Sequence, residues 1–162
     1  MKIPCLVLLL VCLLMVSCEQ QAELKSGQPP PGFSLYDLQG NLVHFPRDFE
    51  GKVVAIRFWA DWCPYCKTEM GEIETVYREY RNRGFVILAL NVAQSKDRAA
   101  KFIGKLQISY PVLLDSDSEA TRKYKVVGLP TTYFVDRHGT LQNKILGEAE
   151  LNTFRDMVEQ LL

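Results

Sequence analysis

In the stretch Val53-Val54-Ala55-Ile56-Arg57-Phe58-Trp59-Ala60-Asp61-Trp62-Cys63-Pro64-Tyr65-Cys66, a near-continuous apolar run leads directly into two cysteines set two residues apart. The run over residues 53–59 reads as a strand buried on both faces, which places it centrally in a sheet. Residues 64–81 read as a long helix. Met70, Ile73, Tyr77 and Tyr80 form its apolar stripe, and Glu72, Arg78, Glu79 and Arg81 supply charge. A strand–turn–helix of this kind puts Cys63 at a helix N-terminus, where unpaired N–H groups and the helix dipole favour a thiolate over a thiol. A thiolate beside a second thiol opens a disulfide in another protein, and the second thiol releases it. The pattern points to thiol–disulfide exchange.

Two blander readings fit less well. A structural zinc site needs four ligands, and the remaining cysteines are Cys5, Cys12 and Cys18, with only the isolated His44 and His138 beside them. A purely structural disulfide across two residues closes so short a loop that it removes little unfolded-chain entropy.

The first residues read as a targeting signal. Met1-Lys2 is a short positive region, residues 3–16 are apolar, and Met15-Val16-Ser17-Cys18 resembles the lipobox of bacterial lipoproteins, with Met15 where Leu is usual. The apolar run is shorter than the roughly 20 residues that a membrane span needs. The expected division is a signal peptide over 1–17, a lipid-anchored flexible tether over 18–31 ending in three prolines, and one domain over 32–162. Cys18 is the expected lipidation site. The expected location is the bacterial cell envelope, facing the periplasm or extracytoplasmic space, where disulfides persist and a maintained dithiol needs a reason. With 19 acidic and 19 basic residues the chain has no basic excess for nucleic acid, and no charge block points to a polyanionic partner.

Residues 33–36 and 42–45 flank a turn with Gly40 and read as a hairpin. Residues 85–90 form another buried strand. Ser95 caps a helix to about residue 106, with Ala99, Phe102, Ile103 and Leu106 inward. A short strand at 112–114, a short helix at 119–124, a hairpin of 131–135 with 141–146 and a last helix over 149–161 follow. This order implies an α/β domain with a central mixed sheet covered on both faces.

Together these residues closely resemble the thioredoxin superfamily, in its TlpA/ResA-like membrane-anchored branch, over roughly residues 32–161. The resemblance rests on Phe33-Ser34-Leu35-Tyr36-Asp37-Leu38 with Gly40, on Gly51-Lys52-Val53-Val54, and on Phe58 through Cys66. Glu69-Met70, Pro111 through Asp115, and Gly128-Leu129-Pro130-Thr131-Thr132 complete it. It implies a thioredoxin fold with an N-terminal β-hairpin extension. It implies Cys63 as an exposed nucleophile, Cys66 as the resolving thiol, and Glu69 as a proton-moving group near them. Pro130 is implied as a cis-proline facing the dithiol, and Leu129 presents backbone groups to an incoming peptide. Trp62 and Tyr65 are implied to flank the dithiol on the docking surface. The Pro64-Tyr65 dipeptide is familiar from glutaredoxin-like proteins and implies a couple more oxidising than thioredoxin's roughly −270 mV.

The implied activity is that of a monomeric protein-disulfide reductase acting on exported proteins, with apocytochrome c in cytochrome c maturation the leading client. A membrane thiol transporter supplies the electrons. No organic cofactor or metal is called for, since the dithiol itself carries two electrons. Two alternatives stay open: a peroxiredoxin-like peroxide reductase, which shares the extended N-terminal hairpin, and a metal-binding chaperone on the same fold.

The chain departs from the family pattern twice. Gly71 stands where a proline usually follows the Glu-Met pair, which leaves a bend in the helix expected. Arg57 stands where a buried Asp or Asn is usual, and an Arg cannot accept a proton. A guanidinium buried there needs a partner, and Glu69, one helical turn after Cys66, is the expected one. Such a pair keeps Glu69 ionised, and the fixed positive charge favours the Cys63 thiolate. The alternative is that Arg57 reaches solvent along its aliphatic stem.

Overall fold

The computed structural model describes residues 24–162. Seven strands form one sheet: β1 (Phe33–Asp37), β2 (Leu42–Phe45), β3 (Val53–Trp59), β4 (Phe85–Val92), β5 (Val112–Asp115), β6 (Thr131–Val135) and β7 (Leu141–Leu146). The helices are α1 (Cys66–Tyr80), α2 (Lys96–Ile103), α3 (Glu119–Lys123) and α4 (Leu151–Glu159), with 3-10 turns at Arg47–Phe49 and Arg81–Arg83. The sheet order is β2-β1-β5-β4-β3-β6-β7. β3 pairs in parallel with β4, as β4 does with β5, while β6 and β7 add antiparallel strands. The N-terminal hairpin extends the sheet through an antiparallel β1–β5 pair. This is the mixed sheet and thioredoxin-like fold that the sequence led us to expect.

All seven residues of β3 are buried, in keeping with its central place. Period-two alternation then sorts its side chains. Val53, Ala55 and Trp59 join α1, α2 and α4 residues such as Met70, Ala99 and Phe154 in one cluster. Val54, Ile56 and Phe58 face the other way, against Phe33, Phe45, Tyr124 and Tyr133. In that second layer Phe58 and Tyr124 stand 5.3 Å apart and Tyr124 and Tyr133 5.2 Å. The Tyr124 hydroxyl donates to the Pro31 carbonyl at 2.8 Å, and the Tyr133 hydroxyl to the Tyr124 carbonyl at 2.5 Å.

The described part of the segment expected as a tether, residues 24–31, lies against the domain. Gly27 N–H donates to the Leu141 carbonyl at 2.8 Å, Leu141 N–H to the Gln28 carbonyl at 2.9 Å, and Ser26 Oγ to the Gln142 carbonyl at 2.8 Å. β7 is an edge strand, and its unpaired backbone groups take this segment as a partner. The helix after the cysteines starts at Cys66, two residues later than expected. It continues through Gly71 as one helix, because glycine leaves the hydrogen-bond ladder intact. The signal peptide and Cys18 lie outside the described residues. Among those described, no helix is long and apolar enough to cross a membrane.

Candidate active site

α1 follows the C-terminal end of β3, an interior strand of the sheet, and the residues between them form the site. The turn is fixed by its own backbone: Cys63 N–H donates to the Ala60 carbonyl at 3.2 Å and Cys66 N–H to the Cys63 carbonyl at 3.3 Å. Glu69 N–H to the Tyr65 carbonyl, 3.2 Å, is an i-to-i−4 bond of the first turn of α1. Cys63 thus lies in the turn leading into the helix N-terminus. The two cysteines are joined as a disulfide with an S–S distance of 2.06 Å.

The exposed nucleophile implied by the resemblance is not exposed in this oxidised form. Cys63 is 2 % exposed and Cys66 fully buried, packed in the cluster of Trp59 and Met70. What the site presents to solvent is Trp62, 63 % exposed, and Tyr65, 52 % exposed. These two aromatic residues adjoin the covered cysteines in sequence.

Pro130 follows a cis peptide bond from Leu129. The β3–β6 register pairs Phe58 with Thr131. One step further along this antiparallel register sets Pro130 beside Trp59, at the end of β3 from which the cysteine turn departs. The loop is held by Thr131 Oγ1 donating to the Gly128 carbonyl at 2.7 Å and Gly147 N–H donating to the Pro130 carbonyl at 2.8 Å. Leu129 is partly buried and packs on the cluster that contains both cysteines.

Under this surface lies a buried polar network. Arg57 is fully buried on the helix-covered face of β3, and Glu69 is 1 % exposed. Arg57 Nη2 lies 2.7 Å from Glu69 Oε2. The approach lacks hydrogen-bond alignment, so it is an ionic contact. Arg57 Nη1 donates to Thr132 Oγ1 at 2.9 Å, and Glu69 Oε1 accepts from Ala149 N–H at 3.3 Å. The pair expected from the sequence is therefore formed, and Arg57 does not reach solvent. Nearby, the Tyr110 hydroxyl donates to the Met70 carbonyl at 2.8 Å, and burial pushes its ionisation well above the usual tyrosine range.

A second network, which the sequence reading missed, pins the turn from outside. Gln94 Oε1 accepts from Asp61 N–H at 3.0 Å, and Gln94 Nε2 donates to Asp61 Oδ1 at 2.5 Å. Asn91 Nδ2 donates to Gln94 Oε1 at 2.8 Å. Arg98 grips the Asp61 carboxylate through Nε at 2.5 Å and Nη2 at 2.9 Å. The Arg98 and Gln94 hydrogen bonds hold the Asp61 carboxyl below the usual carboxylate range. Ala93, at a positive φ of 54°, turns the chain out of β4 so that Gln94 meets Asp61. Polar residues just past the end of a central buried strand were the available sequence signal.

His44 Nδ1 and Ser34 Oγ are hydrogen-bonded at 2.7 Å on the surface of the N-terminal hairpin, away from the cysteine turn in the sheet order. Among the described residues no group of three His, Cys, Asp or Glu side chains is placed to hold a metal ion.

A thioredoxin fold with a Cys-x-x-Cys disulfide between the central strand and its following helix defines a thiol–disulfide oxidoreductase. The chain belongs to the AhpC/TSA family, which its residues 26–144 match, and within it to the ResA-like thiol–disulfide oxidoreductases. It is 35 % identical to the thiol-disulfide oxidoreductase ResA of Geobacillus kaustophilus over 128 residues, 79 % of this chain and 73 % of that one. Against ResA of Geobacillus thermodenitrificans the identity is 32 % over 142 residues, 88 % of this chain and 81 % of that one. Among solved structures, the thioredoxin domain of a Bacteroides vulgatus thiol-disulfide oxidoreductase superposes with a TM-score of 0.74 at 27 % identity, covering 84 % of this chain and 99 % of that one.

Proposed function

We propose that the protein is a lipid-anchored, extracytoplasmic reductase of disulfides in exported proteins, with an apocytochrome c-like client in cytochrome c maturation. The observation that supports the reading is the Cys63–Cys66 disulfide with Trp62 and Tyr65, its neighbours in sequence, exposed as apolar surface that an incoming peptide can contact. In the reduced protein, the Cys63 thiolate attacks a client disulfide. A mixed disulfide forms, and the client's first sulfur leaves as a thiolate that takes up a proton. Cys66, giving up its proton, then attacks Cys63 Sγ and releases the client's second sulfur as a thiol. Two electrons and two protons have passed to the client, and Cys63–Cys66 is a disulfide. An external dithiol, in this reading a membrane thiol transporter, returns the two electrons. Pro130 and Leu129 line the edge on which the client backbone lies, and Glu69 acts beneath the cysteines.

The reading is tested by trapping in cells with Cys66→Ser, which keeps the attacking thiol and lacks the resolving one. Exported cysteine proteins attached to Cys63 support it. Exclusive capture of cytoplasmic proteins refutes it. Anchoring at Cys18 is tested by lipid labelling and fractionation of Cys18→Ser, which is expected to lose both the label and the membrane association. A peroxide-reductase alternative predicts rapid consumption of hydrogen peroxide by the reduced protein, which the proposed reading does not.

A further inference from the structure

Asp61 and Lys67 bracket the disulfide in sequence, and both line a concavity of about 430 Å³ whose other walls are Arg98, Lys101, Phe102 and Lys105. Its single carboxylate, Asp61, is already engaged by Arg98 and Gln94. Lys67, Lys101 and Lys105 are exposed and have no carboxylate partner among the described residues. Phe102 supplies an apolar wall and stacks on Trp59 at the end of β3, with ring centroids 5.1 Å apart. The chain as a whole balances its charges, so this is a local concentration of positive charge that the fold assembles from α1, α2 and the turn after α2. Its trace in sequence is Arg98 and Lys101, three residues apart on one face of α2, with Lys105 in the turn that follows the helix.

We infer that this basic concavity is a client subsite, which takes an acidic peptide segment flanking the target disulfide. Three ammonium groups without internal partners repel one another and are relieved by carboxylates. Because the concavity adjoins the cysteine turn, a segment bound there brings its neighbouring disulfide to Cys63. The subsite acts on encounter rate and on choice of partner, not on the exchange chemistry. This inference rests on the disulfide-exchange reading above.

The test uses the reduced full-length protein and three matched disulfide-bonded peptides whose flanks are acidic, neutral or basic. At low ionic strength the acidic peptide is expected to be reduced about tenfold faster than the neutral one, within the range electrostatic steering gives. That ratio is expected to fall to near one at high salt and in the Lys67→Gln/Lys101→Gln/Lys105→Gln variant. It is expected to persist in the corresponding triple Lys→Arg variant, which keeps the charge. Equal rates for acidic and neutral peptides in the wild type overturn the subsite, and so does a preference that survives the Gln variant. Reduction of the neutral peptide in that case leaves the oxidoreductase reading standing, whereas failure to reduce any peptide refutes the reading itself. A parallel arm measures binding to vesicles of phosphatidylcholine with phosphatidylglycerol. If the Gln variant loses vesicle binding while the wild type shows no peptide preference, the lysines serve a lipid surface and the inference falls.

Discussion

The guanidinium of Arg57 lies 2.7 Å from the carboxylate of Glu69, and both are sealed from solvent one helical turn past Cys66. Arg57 belongs to β3, Glu69 to α1, and the two further contacts, to Thr132 and to Ala149 N–H, reach β6 and the segment before α4. One buried ion pair thus ties the central strand to the active-site helix and to the strand that begins after Pro130. By the resemblance drawn from the sequence, position 57 is where a proton relay is implied, and this chain puts a charged Arg57–Glu69 pair there instead.

Removing one partner leaves a buried charge alone. Arg57→Met is expected to destabilise the fold by about 3–5 kcal/mol, the range for breaking a buried pair from one side. The double variant Arg57→Met/Glu69→Leu is expected to recover a large part of that loss, because two apolar side chains need no compensation. Denaturant midpoints of the wild type, Arg57→Met, Glu69→Leu and the double variant check this. Strictly additive losses would show that the two groups are not coupled.

The same charge bears on the redox couple. Arg57 balances the Glu69 carboxylate beneath the dithiol, and without it an unbalanced anion there disfavours the thiolate, and so the reduced form, which makes the couple less oxidising. Arg57→Asn is therefore expected to make the reduction potential more negative. About 30 mV corresponds to about 1.4 kcal/mol for this two-electron couple, so an effect of one ordinary charge–charge contact is readable by equilibration with glutathione. A potential that stays unchanged in a folded Arg57→Asn protein rules out the electrostatic role.

How much of this was legible beforehand follows from what sequence encodes locally. β3, β6 and β7 have the expected bounds because period-two and continuous apolar runs with glycine turns such as Gly139, at φ 77°, are local signals. The Arg57–Glu69 pair was legible because a buried charge needs a partner and the resemblance fixed where Glu69 would lie. The start of α1 was not, since Pro64 suits a first helical turn as well as the turn that precedes it. Nor was the Asp61–Gln94–Arg98 network: Asp61 and Gln94 stand 33 positions apart and meet only because β3 and β4 pair in register. The docking of residues 24–31 depends on which strand ends up at the sheet edge, a property of the whole topology.

Cys63 and Cys66 are expected to divide the chemistry. In the reduced protein Cys63, in the turn beside the helix N-terminus, is expected to be alkylated faster than Cys66, which is the first residue of α1 and faces inward. Cys66→Ser is expected to accumulate mixed disulfides with a model disulfide protein, and Cys63→Ser is not. Non-reducing electrophoresis and mass measurement read both outcomes. Equal trapping by the two variants would overturn the assignment.

Asp61 gives the site a pH dependence of known sign. Its hydrogen bonds to Arg98 and then to Gln94 hold its carboxyl below the usual range in the folded protein, while in the unfolded chain it titrates at about 3.9. The unfolded state therefore binds the proton first as pH falls. The stabilisation from this carboxylate is fully present above about pH 4 and is lost as pH drops through the lower folded value. Arg98 is largely exposed, its side chain 57 % accessible, so solvent screening keeps the contribution to at most about 1 kcal/mol. Asp61→Asn is expected to lower stability at neutral pH by an amount of that order and to flatten the fall in stability below about pH 4. Because Asp61 N–H is held by Gln94 as well, the variant is also expected to keep the turn in place and retain disulfide exchange. Denaturant titrations of wild type and Asp61→Asn between neutral pH and about pH 3 decide it: parallel stability curves across that interval would show that the carboxylate contributes nothing through its charge.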